Sequence, residues 1–170
     1  MIAKDEKGRT ILGGPLGSIE HRRSALREAC AKYDIALAYL YGSQARGSAG
    51  PLSDIDVAIL FRPEVSRPDR GDRLFHLTGE LMSIFRRSDV FVADLDTASP
   101  LLRHRVYRDG QLLYCSDDRL RVKFAIEALR DYEDTRPLRE IQRHYLTKRI
   151  ADGTFGRARP ALAESKEQYG

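Results

Sequence analysis

Tyr41-Gly-Ser-Gln-Ala-Arg-Gly-Ser-Ala-Gly-Pro-Leu-Ser-Asp-Ile-Asp-Val-Ala-Ile-Leu60 is the stretch on which the fold of this chain turns. It is entered from a short apolar run, Ile35 to Tyr41, that stops at Gly42 and so reads as a buried strand. The loop that follows holds Gly42, Gly47, Gly50 and Pro51, and a second apolar run, Ile55 to Phe61, begins at once and ends before Pro63. Residues two apart on a strand point to one face, so Asp54 and Asp56 project side by side where this second strand opens. Two anions held together raise one another's pKa, and a bound divalent cation reverses that penalty. Hard oxygen donors of this kind suit Mg²⁺ or Mn²⁺, with triphosphate oxygens and water completing the shell. On the other side of the loop, Gly42 has no side chain to block a phosphate, and a helical turn opened by Ser43 aims backbone amides toward it. The Ser43 hydroxyl can donate to a phosphate oxygen, Arg46 adds charge, and Gly47 permits a tight return toward Asp54. A lone Asp-x-Asp or Gly-Ser means little, and Asp54 by itself could cap a turn after Ser53. The combination points to phosphoryl-type transfer, which needs mainly positioning and charge neutralisation.

Working outward, the segment from Ser18 has helical spacing, with Ile19, Leu26, Ala29 and Cys30 on one face. Asp69 to Arg87 reads as a second helix, with Leu74, Leu77, Leu81, Ile84 and Phe85 aligned. Asp89 to Leu95 is a third strand; Pro100 to Arg108 is a short helix ended by Gly110, and Gln111 to Cys115 a further strand. Two helices close the pattern, striped by Val122, Ala125, Ile126 and Leu129, and by Leu138, Ile141, Tyr145 and Ile150. Thr135 is placed to cap the last, with Pro137 in its first turn. The expected fold is α/β (α+β): a small mixed sheet with flanking helices and two C-terminal helices. The expected division is a weakly ordered lead-in over 1–16, a core over 17–116, C-terminal helices packed on it over 117–152, and a mobile tail over 153–170.

A chain of 170 residues with 42% apolar and 32% charged residues is an ordinary globular domain, large enough to need no staple. Cys30 and Cys115 form no CxxC and no cluster with the four histidines, so both read as free thiols in a reducing compartment rather than zinc ligands. Net charge is +4, but 29 Lys and Arg are interspersed with 25 Asp and Glu. Such mixing describes a solvated surface, and direct nucleic-acid binding is not expected; a polyanionic nucleotide or an acidic partner accounts for the surplus. No apolar run approaches the roughly 20 residues that span a bilayer. Met1 to Thr10 lacks the apolar core of a signal peptide, so the expectation is a cytoplasmic protein without a membrane partner. His104, between Arg103 and Arg105, reads as a helix-surface residue; His144 and Tyr145 read as surface and core respectively. The arginine-rich lengths 136–149 and 157–159 read as solvated faces.

Gly42-Ser43, ten intervening residues and Asp54-Ile55-Asp56 resemble the signature of the polymerase-beta-like nucleotidyltransferase superfamily. Within it the chain is similar to the minimal nucleotidyltransferase (MNT-type) antitoxins, encoded in prokaryotes beside a HEPN-domain ribonuclease toxin. Ala98 to Val106, Arg108 to Tyr114 and Asp134 to Leu138 extend the likeness, which covers roughly residues 17 to 155. The resemblance implies a palm-type nucleotidyltransferase fold, two Mg²⁺ ions, and ATP as substrate. It further implies transfer of AMP to a tyrosine hydroxyl of the HEPN toxin, held in a hetero-oligomer, with release of pyrophosphate. Asp54 and Asp56 would be the catalytic metal ligands, and Gly42, Ser43 and Arg46 would bind the nucleotide. The family's third carboxylate, a base or second-metal ligand, falls on Asp89 or Asp94; five apart, they face opposite ways on a regular strand. Asp89 is favoured because it opens its strand as Asp54 opens its own. Neutralisation by binding alone and a small-molecule (aminoglycoside-type) nucleotidyltransferase are the alternatives.

Overall fold

The computed structural model describes Leu16 and residues 19–156. Nearly all of the expected lead-in, and the tail beyond 156, lie outside the described residues. A 3₁₀ turn at Glu20–Arg22 leads into α1 (Arg23–Lys32), followed by β1 (Ile35–Tyr41), the one-turn α2 (Gly42–Ala45) and β2 (Ile55–Phe61). Next come α3 (Arg67–Phe85), β3 (Val90–Asp94), α4 (Pro100–Asp109), β4 (Gln111–Cys115), α5 (Asp118–Asp134) and α6 (Arg136–Ala151). The described residues divide into two units, with the boundary between Glu133 and Asp134.

In the first unit four strands form one mixed sheet in the order β3-β2-β1-β4. β1 runs antiparallel to β2 and β4, whereas β2 and β3 are parallel. The parallel pair is what α3 makes possible, since a crossover of that length must separate two parallel neighbours. Alternation then sorts the side chains. Ile55, Val57, Ile59, Phe61, Ala38 and Leu40 pack with Leu26, Cys30, Leu77, Leu81 and Phe85 beneath α1 and α3. Leu37, Tyr39 and Ala58 face the other way and pack with Val106 of α4 and Phe124 and Ala128 of α5. Full burial of a ring such as Phe124 stabilises the fold by about 2–3 kcal/mol. Ser99 begins α4 by accepting a hydrogen bond from the Leu102 amide at 3.3 Å, with Pro100 at a position that needs no donor.

Two expectations about the C-terminal helices need correction. α5 buries Phe124 and Ala128, while Val122, Ile126 and Leu129 of the expected stripe are exposed. Both sides of this helix are apolar, and spacing alone does not say which one the sheet takes. The second unit contains α6, which has no buried residue; Tyr145, expected in a core, is 61% exposed, beside Leu138, Ile141 and Ile150. Thr135 stands at the cap position, but its hydroxyl accepts from the Arg139 guanidinium instead of an amide. Cys30 and Cys115 are both free thiols, as expected.

Candidate active site

The expected site residues meet at one end of the sheet, where β1 finishes and β2 begins. Antiparallel register sets Tyr41 opposite Asp56, so the chain leaving β1 turns directly over the second aspartate. Gly42 makes that turn at φ +73°, in the left-handed region that L-residues avoid. The approach is close: a Cβ built on Gly42 would sit 2.2 Å from Asp56 Oδ2. Glycine is the residue that fits there without backbone strain or displacement of that carboxylate. α2 follows as a single turn, with the Arg46 amide donating to the Gly42 carbonyl at 3.4 Å and the Ser48 amide to the Ser43 carbonyl at 3.0 Å. Gly47 then reverses the chain at φ +68°.

Gln44 fastens this loop to the carboxylate strand. Its side-chain amide donates to the Ser53 carbonyl at 3.4 Å and the Asp54 carbonyl at 3.3 Å, and its carbonyl accepts from the Leu16 amide at 2.9 Å. A polar side chain in a loop gives no sequence signal for this role. Ser53 adds a local clasp, accepting from the Gly50 amide at 2.8 Å.

Asp54 and Asp56 project from the same face of β2, Asp54 exposed and Asp56 half-buried. Burial, and after it the Asp54 charge, push the Asp56 carboxyl above its ordinary value, while Arg46 pulls it back. Burial also raises the Tyr41 phenol, with Asp56 contributing. The pair is thus held close and partly out of water, the arrangement a divalent cation relieves. Two adjacent carboxylates beside the backbone of a glycine-serine turn fit a magnesium–triphosphate group in donor chemistry.

The two candidates for the third carboxylate fall on different faces of the sheet. Parallel register pairs Ile55 with Val90, Asp56 with Phe91 and Ile59 with Asp94. Asp94 therefore lies on the sheet face opposite the aspartate pair, where Arg70 of α3 bridges it at 3.8 Å and pairs with Asp96. Burial raises the Asp94 carboxyl, and the Asp96 amide donates to it at 2.9 Å. Strand parity sets Asp94 on the face away from Asp54 and Asp56. Asp89, the favoured candidate, is on the correct face, but its carboxylate is engaged by Arg87. Nε of Arg87 donates to Oδ1 at 2.8 Å, and a terminal nitrogen donates both to Oδ2 and, at 2.6 Å, to the Ser53 carbonyl. Both side chains are largely buried, at 9% and 11% exposure. Among the described residues no three His, Cys, Asp or Glu side chains converge as metal ligands would. Arg87, two residues before Asp89, was visible in the sequence but signals nothing without the fold.

His104 is on α4, as expected, but its ring stacks on Tyr132 of α5, with centroids 3.8 Å apart. It joins two helices and does not meet Asp54 or Asp56.

The family described as "Polymerase beta, Nucleotidyltransferase" matches residues 24–119, more than half of the chain. No curated protein sequence shows a significant match. Among solved structures, a chain in the crystal structure of a toxin–antitoxin with AMP-PNP is 23% identical, with a TM-score of 0.51 over 76% of this chain and 94% of that one. A chain in the structure of tri-AMPylated Shewanella oneidensis HEPN toxin in complex with MNT antitoxin is 20% identical, with a TM-score of 0.50 over 79% and 95%. At these identities the likeness is one of fold. Among the described residues no helix is long and apolar enough to cross a membrane.

Proposed function

This chain belongs to the polymerase-beta nucleotidyltransferase family, and from that premise we propose that it moves AMP from ATP onto a tyrosine hydroxyl of a HEPN-domain toxin, silencing it as an antitoxin. The observation that carries the proposal is the close approach of Gly42 to the Asp56 carboxylate, which sets the backbone of the glycine-serine turn directly beside the paired carboxylates. The solved neighbours support the choice of chemistry and acceptor, one holding an ATP analogue and another an AMPylated HEPN toxin.

In the reaction, the phenolic oxygen bonds to the α-phosphorus, the bond from that phosphorus to the bridging oxygen breaks, pyrophosphate leaves, and the phenolic proton passes to solvent. Asp54 and Asp56 would hold Mg²⁺, which would supply neutralisation of charge on the phosphate oxygens. Gly42 lets the β- and γ-phosphates approach the backbone, Ser43 donates its hydroxyl to them, and Arg46 adds positive charge beside Asp56. Gln44 positions the loop against the strand. Asp89, through Arg87 and the Ser53 carbonyl, anchors the approach to Asp54 and acts as a positioning residue. The proposed setting is the cytoplasm, in a hetero-oligomer with the toxin.

A second reading, neutralisation by binding alone, draws on the engagement of the Asp89 carboxylate by Arg87. One experiment separates the two. The intact mass of a co-expressed HEPN-domain partner is measured after incubation with the chain, ATP and Mg²⁺. A gain of AMP units that disappears in Asp54→Ala/Asp56→Ala supports transfer. A stable complex with suppressed ribonuclease activity and no mass gain refutes it in favour of binding.

A further inference from the structure

The three strands that meet at the site have distinct places across it. β1 delivers Gly42 and Ser43, β2 in the middle delivers Asp54 and Asp56, and β3 lies on the far side. Phosphoryl transfer sets the attacking and leaving oxygens roughly in line. With the leaving pyrophosphate against Gly42-Ser43, the acceptor hydroxyl must arrive from the β3 side. The β3 residue level with Asp56 and on the same face is Phe91. It is 59% exposed, whereas Phe61, the other phenylalanine of the sheet, is buried. β3 is an edge strand, and the strand positions flanking Phe91, Val90 and Val92, face the α1/α3 core. The fold therefore gains no core burial from the aromatic ring at position 91.

We propose that Phe91 forms the acceptor side of the site and, by standing where an acceptor-side carboxylate would stand, selects a phenolic hydroxyl over an aliphatic one. This deepens the adenylyl-transfer reading and rests on it. Two properties of the ring produce the selection. It offers a flat apolar surface on which an incoming tyrosine ring can stack in an offset or edge-on manner. It also supplies no base: a phenol, with a pKa of about 10, gives up its proton to solvent far more readily than an aliphatic hydroxyl does. An aliphatic acceptor would need a carboxylate on this side, and Asp89 is engaged by Arg87. The bond changes are those already given, with phenolic oxygen bonded to the α-phosphorus, pyrophosphate released and the proton taken by water.

The test uses the chain with its co-expressed HEPN-domain partner, the modified tyrosine having first been located by mass spectrometry. Phe91→Ala should raise the KM for the partner about fivefold, the equivalent of one lost aromatic pair, and leave kcat within about twofold. Because Phe91 is exposed, this variant should melt like the parent. Phe91→Asp should gain transfer to a partner carrying serine at the acceptor position, which the parent chain leaves unmodified. A readout free of metal and nucleotide comes from 4-fluorophenylalanine incorporated at position 91. Its fluorine resonance should shift on adding the partner and stay in place when the acceptor tyrosine is replaced by alanine. An unchanged KM in Phe91→Ala, an unmoved fluorine signal, or equal transfer by the parent chain to serine and tyrosine each overturns the inference while leaving adenylyl transfer intact. No mass gain with the parent chain overturns both, and does so at the first step.

Discussion

Gly42→Ala separates backbone strain from active-site disturbance, because Gly47 provides a matched control. At Gly42 the new methyl group would sit 2.2 Å from Asp56 Oδ2 and 3.1 Å from its Cγ, where ordinary contact begins near 3.4 Å. The carboxylate oxygen must therefore retreat by about 1 Å, a displacement able to cost a catalysed step roughly 100-fold. The end of a side chain can swing, so the loss of stability comes chiefly from φ +73°. An L-residue held in that region costs about 1–2 kcal/mol. In a chain of this size that lowers the melting temperature by about 2–8 °C. At Gly47 the backbone is equally left-handed, at φ +68°, but nothing lies within 4 Å of an added methyl group. Gly47→Ala should lose a similar few degrees and keep its AMP transfer. The assay pairs thermal melts with initial rates of partner modification, measured well below both melting temperatures. If Gly42→Ala transfers within about threefold of the parent, or both variants lose rate alike, the close-approach argument is refuted.

Asp56→Asn should abolish transfer and yet melt higher than the parent at pH 7 without divalent cation. The folded carboxyl has a raised pKa, so the native state holds its proton more tightly than the unfolded chain and loses stability as pH rises through that window. The advantage should vanish below about pH 4, where both states of the parent are protonated; a variant less stable than the parent at pH 7 would contradict it. Arg87→Met leaves the Asp89 carboxylate largely buried without its guanidinium and should cost about 3 kcal/mol in urea unfolding. A loss below about 1 kcal/mol would show the pair to be no more than an exposed contact. Burial pushes the Cys30 thiol up to about 12. Iodoacetamide at pH 8 should therefore label Cys115 alone in the folded chain, and both thiols in denaturant; fast native labelling of Cys30 would refute the burial.

Local pattern was enough for the half of the site that is continuous in sequence. The strand–glycine–loop–strand segment from Ile35 to Phe61 adopts the expected elements, and Asp54 and Asp56 share a face because side-chain alternation on a strand depends on nothing distant. The other half depends on register between β2 and β3, which α3 and the core fix together. Composition offers Asp89 and Asp94 at nearly equal claim; only the pairing of Asp56 with Phe91 sends Asp94 to the opposite face. The ion pair that engages Asp89 likewise needs Arg87 to reach the Ser53 carbonyl, 34 residues away in sequence. α5 departs from its expected stripe for a related reason. Its two apolar sides are equivalent in periodicity, and the sheet takes Phe124 and Ala128 because Tyr39 and Val106 present the matching surface.

Gly42 and the Asp54–Asp56 pair break local rules together at one place, and that clustering is itself an argument for function. A domain selected for stability alone has no reason to set Asp54 beside Asp56, half-bury one of them, and press the latter's carboxylate against a left-handed backbone. Each feature raises the free energy of the folded chain, and replacing either carboxylate by a neutral side chain would relieve the pair. The carboxylate pair becomes favourable once a cation and a triphosphate are present, because the charge is then matched. The exposed ring of Phe91 on an edge strand belongs with them, since it too gains only when something is placed against it. The Arg87–Asp89 pair does the opposite work: it satisfies its own charges internally and holds still the strand entrance on which the unsatisfied ones are displayed.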